Sequence, residues 1–171
     1  MTETQILLDA ADLLNDEIRK AFQEQGHHLT GLWEKSLSAT SYAPGTVEGV
    51  AKSYGNIVDA GTLPDRIPYG GSGNGNGGTS QYIQGLFRFW KLRKPGCSDK
   101  EALSLAFATA KKQKKEGMST NASRAYSSTG ERQKFVEVAF AHADEKVSEF
   151  VLDGMTGLVN AEVPEARELT Y

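Results

Sequence analysis

Between Tyr69 and Ser80 the chain carries Gly70, Gly71, Gly73, Gly75, Gly77 and Gly78, with Asn74 and Asn76 among them. Glycine loses the most backbone freedom on ordering and brings no side chain to a core. No rigid interior can be built from such a stretch. Residues 62–80 therefore read as a loop, opened by Pro64 and Pro68 and expected to be mobile when free. The fold has to come from the segments on either side, and both sides carry helical periodicity.

Upstream, Leu7, Ala10, Ala11, Leu14, Ile18, Ala21 and Phe22 recur at three- and four-residue steps, which predicts an amphipathic helix over roughly Thr4 to Gln25. Gly26 is its natural left-handed stop. Leu37, Ala39 and Ser41 then alternate with polar residues. Pro44-Gly45 offers a turn, and Thr46 to Tyr54 can return as a second strand, weakened by Gly49. Ile57 and Val58 fit a short helical turn ending at Gly61. Downstream of the glycines, Tyr82, Ile83, Leu86, Phe87 and Trp90 form one helical face, stopped by Pro95-Gly96. Ser98 with Glu101 reads as a capping box opening a helix through Lys115, with Ala102, Leu105, Ala106, Thr109 and Ala110 on one face. Gly117 closes it. A polar connection, Met118 to Gly130, leads to a second capping box, Ser128 with Glu131. The last helix has Val136, Phe140, Ala143, Val147 and Phe150 at helical spacing. Gly154 and Gly157 predict its end.

The chain has 171 residues, 39% of them apolar, which suits one domain with a real core and long polar loops. The expected class is α+β: an N-terminal helix, a small antiparallel sheet with a hairpin, two or three further helices and a long Gly-rich loop. Residues 1–154 form the expected domain, with the loop at 69–80. Residues 155–171 are expected to be an acidic, irregular tail. No apolar run is long enough to span a membrane, and the N-terminus lacks the basic-then-apolar order of a secretory signal. Cys97 is the single cysteine, which rules out an internal disulfide and fits a reducing cytosol.

Catalytic chemistry finds little to stand on. Gly73-x-Gly75-x-x-Gly78 formally matches the dinucleotide fingerprint, but a Pro-rich loop precedes it where a buried strand is required. His27 and His28 are adjacent and form no ligand spacing with His142. Asp59 and Asp65 would need to converge to act as paired carboxylates. No nucleophile elbow is present. The expectation is a protein that is not an enzyme, with no catalytic, cofactor-binding or metal-binding residues.

Charge is distributed unevenly. Residues 88–115 hold nine bases and two acids, a net of +7, whereas residues 137–168 hold eight acids and two bases, a net of −6. Arg88, Lys91, Arg93, Lys94, Lys111, Lys112, Lys114 and Lys115 make a candidate basic face toward a neighbouring subunit or a DNA channel. Glu137, Asp144, Glu145 and Glu149 make a candidate acidic interface. The plainer alternative is two solvated helix faces. Phe87, Phe89 and Trp90 beside the basic residues also suggest a nucleic-acid-binding module using the 88–115 segment. However, Phe87 and Trp90 share a helical face with Ile83, which core packing explains better.

Three stretches carry a resemblance. Leu29-Thr30-Gly31-Leu32-x-x-x-Ser36 precedes the hairpin. Tyr54-Gly55-Asn56-Ile57-Val58-Asp59-Ala60-Gly61-Thr62 follows it. The third runs from Ala102 through Lys115 to Gly117-Met118 and on to Phe135. Together they resemble the neck and tail-completion (head–tail joining) proteins of lambdoid siphophages over roughly residues 1–150. Asp59 stands where glutamate is usual, Gly55 where alanine is usual, and the glycine loop looks like an insertion. Tyr54, Asp59, Gly61 and Thr62 are the signature positions, with fold-making roles. The resemblance implies a structural virion protein that forms a ring at the head–tail joint or tail terminus. Its implied partners are copies of itself and portal, adaptor or tail-tube proteins. Double-stranded DNA would pass through without sequence-specific binding, and no membrane is involved. Its implied place is the virion, assembled in the host bacterial cytoplasm.

Overall fold

The computed structural model describes residues 2–70 and 80–168. Most of the predicted glycine loop, residues 71–79, lies outside the described residues. The architecture is mixed α and β. In chain order it runs α1 (Glu3–Glu24), β1 (Ser38–Ala43), β2 (Thr46–Val50), α2 (Tyr54–Ala60), α3 (Gln81–Arg93), α4 (Asp99–Glu116) and α5 (Phe135–Glu168), with short 3-10 turns at Glu34–Ser36, Pro64–Arg66 and Asn121–Tyr126. By its internal contacts the chain divides into two compact units. One comprises the described residues of 1–24, 30–55 and 134–171, the other those of 25–29 and 56–133.

In the first unit α1 and α5 lie antiparallel: Phe22 meets Phe135, Glu17 pairs with Lys146, and Ile6 meets Gly154. The buried face of α1 is Ile6, Ala10, Ile18, Ala21 and Phe22, with Asn15 among them. Ala10, Ile18, Ala21 and Phe22 are buried as the periodicity predicts, while Ile6 and Asn15 are buried where Leu7, Ala11 and Leu14 flank the face half-buried. Phe22, Trp33 and Phe135 close the core. Phe22 stacks on Trp33 with centroids 4.6 Å apart, and Phe135 meets both edge-on at 5.1 and 5.2 Å. Such pairs add stabilisation beyond their buried area.

The hairpin forms as the alternation predicts. Ala43 pairs with Thr46 across Pro44-Gly45, and Gly45 sits at φ +71°. Proline fixes the first turn position and glycine takes the positive φ of the second. The register slips between Ser41 and Ala43. Strand β2 ends at Val50, so Tyr54 opens α2 and is not delivered by a strand.

Two further expectations are corrected. Ser128 does not cap the last helix, which begins seven residues later at Phe135. Arg132 and Gln133 are held instead by loop carbonyls, Arg132 by those of Ser123 and Gly26 and Gln133 by that of Met118, which keeps the approach irregular. The tail is not irregular from residue 155: α5 continues to Glu168. Val151, Met155 and Leu158 keep an apolar, half-buried row going past Gly154. Gly154 is a close-approach position and not a stop, since a Cβ there would lie 2.9 Å from Ile6 Cγ2. Phe140, placed on the packed face by its spacing, is mostly exposed, and the buried row is Phe135, Ala139 and Ala143.

In the second unit α3 and α4 form an antiparallel hairpin. Ile83, Ala106 and Ala110 are its centre, with Tyr69, Tyr82, Leu86, Phe87, Trp90, Leu103 and Phe107 packed around them. Small alanines let the helices approach closely. The polar ends of the aromatics are satisfied across the seam: Trp90 Nε1 donates to Thr109 Oγ1 at 2.9 Å, and the Tyr82 hydroxyl bonds Gln113 Oε1. Both helices start on serine caps, Ser80 accepting from the Ile83 amide and Ser98 from the Glu101 amide, the latter as predicted.

The two glycines of α5 separate packing from propensity. Gly154→Ala gains about 1 kcal/mol of helix propensity but overpacks Ile6 at a cost of about 1–3 kcal/mol, so a net loss of stability is expected. Gly157 has nothing within 4 Å of its Cβ position, and Gly157→Ala is expected to stabilise by about 1 kcal/mol. Urea unfolding of both variants checks the opposite signs.

Candidate assembly site

The three sequence stretches singled out above are brought together at two junctions, one in each unit. In the first unit, Trp33 and Ser36 hold the backbone that leaves the hairpin. Ser36 Oγ donates to the Trp33 carbonyl at 2.6 Å and accepts the Lys52 amide at 3.1 Å, while Trp33 Nε1 donates to the Lys52 carbonyl at 3.1 Å. Gly55 lies against the same indole, and a Cβ there would sit 2.1 Å from Trp33 Nε1. Glycine at this position follows from the tryptophan. Arg19 ties the turn from the other side, donating to the carbonyls of Glu34 and Leu37 at 3.3 and 3.0 Å.

In the second unit, Thr62 and Met118 form a two-way antiparallel bridge, each amide donating to the other's carbonyl at 2.8 Å. Gly61 and Gly117 flank it at φ +72° and +83°. A Cβ at Gly61 would lie 2.4 Å from the Met118 carbonyl oxygen, and one at Gly117 would lie 2.6 Å from that of Thr62. The signature glycine and the glycine that stops α4 are thus required by one bridge. Of the remaining signature positions, Tyr54 is exposed at the start of α2 and Asp59 is half-buried near its end.

The candidate basic face is smaller than its sequence suggests. Lys91 pairs with Asp99 at 3.0 Å and Lys94 with Glu101 at 2.5 Å. Each ammonium is hydrogen-bonded by its carboxylate, which raises its pKa. Lys112 reaches Glu116 at 3.8 Å. Lys114 donates to the Ile67 and Asp65 carbonyls at 3.1 and 3.4 Å. Arg93 lies over the Tyr126 ring at 4.4 Å. Arg88, Lys111 and Lys115 remain exposed and, among the described residues, form no ion pair. On the acidic side Glu137 pairs with Lys134 at 2.9 Å, and Asp144, Glu145 and Glu149 face solvent along α5.

A polar cluster that sequence reasoning did not find lies in the second unit. Arg132 donates to the carbonyls of Ser123 and Gly26 at 3.1 and 3.2 Å and to His27 Nδ1 at 3.2 Å. Gln25 donates to the Gln133 carbonyl at 2.9 Å, and Gln133 to that of Met118 at 3.0 Å. Burial first, and the Arg132 charge second, push the His27 imidazole down to about 4. No single residue type or spacing marks this cluster, because its members come from two connections far apart in sequence, the one after α1 and the one between α4 and α5. Among the described residues no group of three His, Cys, Asp or Glu is placed to hold a metal ion, and no helix is long and apolar enough to cross a membrane. Comparison of the chain with known families, curated proteins and solved structures gives no match in any of the three.

Two measurements test this architecture. Gly61→Ala is expected to cost about 2 kcal/mol or more, combining left-handed strain with a backbone clash. Gly96→Ala has positive φ but open space and should cost only about 1 kcal/mol, both by chemical denaturation. For pH, His27 has a folded pKa of about 4 against an ordinary value of 6.5, so the native state binds the proton less well than the unfolded chain. Its contribution is complete above pH 6.5 and is lost as pH falls toward 4. The loss should be about 2–3 kcal/mol, read as the difference in urea midpoint between the wild type and His27→Gln across that window.

Proposed function

We propose that the chain is a structural subunit of a tailed bacteriophage particle, one of several copies that close into a ring at the head–tail joint or the tail terminus. The observation that carries this reading is the meeting of the resembling stretches. Trp33 of the 29–36 stretch lies against Gly55 of the 54–62 stretch, and Thr62 of the latter bridges Met118 at the end of α4. Unrelated short likenesses would have no reason to share contacts, whereas the parts of one inherited fold would. The positions involved have fold-making roles, which suits a structural subunit.

In this reading the partners are further copies of the chain and portal, adaptor or tail-tube proteins, with double-stranded DNA passing through the ring. The particle is assembled in the host bacterial cytoplasm. Solvent-facing bases on α3 and α4 and solvent-facing acids on α5 give each copy two unlike patches, as a closed ring needs.

The competing reading, a nucleic-acid-binding module on residues 88–115, has thinner support. Phe87 and Trp90 pack into the α3–α4 core, which leaves Phe89 as the exposed aromatic of the three. Base stacking needs ring faces open to solvent.

The purified chain is expected to form closed rings by negative-stain electron microscopy. Deleting its gene from the phage is expected to leave heads and tails unjoined, or tails unfinished. Lys111→Glu with Lys115→Glu should weaken ring formation about tenfold or more without loss of helical circular dichroism. A chain that stays monomeric yet binds oligonucleotides with a steep salt dependence would support the nucleic-acid reading instead.

A further inference from the structure

Among the described residues, two apolar stripes on the surface are left exposed. The first is on α3, where Phe89 is 37% and Leu92 56% exposed, on the side away from Ile83. Gly85 lies one turn earlier on this side, and nothing comes within 4 Å of its Cβ position. A glycine inside a helix costs about 1 kcal/mol against alanine, and among the described residues no contact requires this one. It does create a flat spot where another helix can come close. Arg88 stands exposed beside it.

The second stripe is on α5. Leu152, Val159 and Val163 are 67%, 58% and 40% exposed, at spacings that place them on one side of the helix. The exposure of Val159 and Val163 follows from the length of the partner helix. Ile6 already lies against Gly154, and α1 begins at Glu3. The antiparallel α1 therefore ends about one turn beyond that contact, while α5 runs on to Glu168. Val159 and Val163 project past anything α1 can cover.

The charges around the two stripes are complementary. Helix α3 contains Arg88, Lys91 and Arg93 and no acid. Around Leu152, α5 carries Glu145, Glu149 and Asp153, and its one nearby base, Lys146, is held by Glu17 at 2.6 Å. Pairing α5 with α5 would set acid against acid, and pairing α3 with α3 would set base against base. Each stripe fits the other and not itself.

Building on the ring reading, we propose that the outer face of α3 in one copy receives the C-terminal half of α5 from a second copy. Phe89 and Leu92 pack against Leu152 and Val159, helix approaches helix over Gly85, and Arg88 meets the acids of α5. The contact joins unlike surfaces, so it repeats from copy to copy until the ring closes.

Mixing two variants of the full chain tests this. Leu92→Asp blocks the α3 face and Leu152→Lys the α5 face, and both residues are exposed, so folding should survive. In sedimentation velocity the wild type should assemble beyond a dimer, and each variant alone should self-associate at least about tenfold more weakly. An equimolar mixture should stop at a dimer, because the intact α5 of the Leu92→Asp copy fits the intact α3 of the Leu152→Lys copy. If either charged variant loses its helical signal, Leu92→Ser and Leu152→Ser take their place. A wild type that assembles while either variant assembles equally well, or two monomeric variants whose mixture gives no dimer, overturns this interface and leaves the ring reading standing. A wild type that stays monomeric overturns both.

Discussion

The contact of Phe22, Trp33 and Phe135 holds the first unit together. These residues come from the end of α1, the turn after it and the start of α5, and their rings lie 4.6 to 5.2 Å apart. The contact fixes where α5 begins and which way it runs along α1. Trp33 then extends its influence by hydrogen bond to the strand leaving the hairpin and by shape to Gly55. One indole thus decides the exit of β2, the start of α2 and the size allowed at residue 55. Truncating a buried aromatic of this kind typically costs about 3–5 kcal/mol, a large part of the stability of a small unit.

Local signals in the sequence reported local structure well. The cap at Ser98, the Pro44-Gly45 turn and the alanine face of α4 each depend on residues within a turn or two of one another, and each is present. The errors arose where a distant residue overrode a local preference. Gly154 and Gly157 look like a helix stop, but Ile6 packs on the first, and the apolar row continues past both. Ser128 and Glu131 have capping spacing, yet Arg132 and Gln133 are claimed by carbonyls further back in the same connection, those of Ser123 and Met118. Asn15 is buried in a stripe that apolar periodicity alone would assign to its neighbour Leu14.

The candidate site was legible in a different way. The short stretches at 29–36, 54–62 and 117–118 could be picked out, but not the reason for their residue choices. That reason is mutual: glycine at 61 and at 117 answers to a single bridge, and glycine at 55 answers to tryptophan at 33. The charged segments were legible as composition only. Sequence counts every lysine alike, whereas Lys91, Lys94 and Lys114 have partners within their own unit, and Arg88, Lys111 and Lys115 face outward.

The hairpin has a consequence for how such a chain avoids sticking to the wrong neighbours. Two strands have no interior, so both outer edges of this sheet carry backbone groups open to pairing with another chain. The strands are six and five residues long, the register slips near the turn, and Pro44 removes one donor at the tip. Shortness, a local kink and a missing amide all discourage strand addition. Both strands lie on α1, so the hairpin owes its order to that helix more than to a sheet core of its own. Amyloid-like edge growth is thereby disfavoured along both strands.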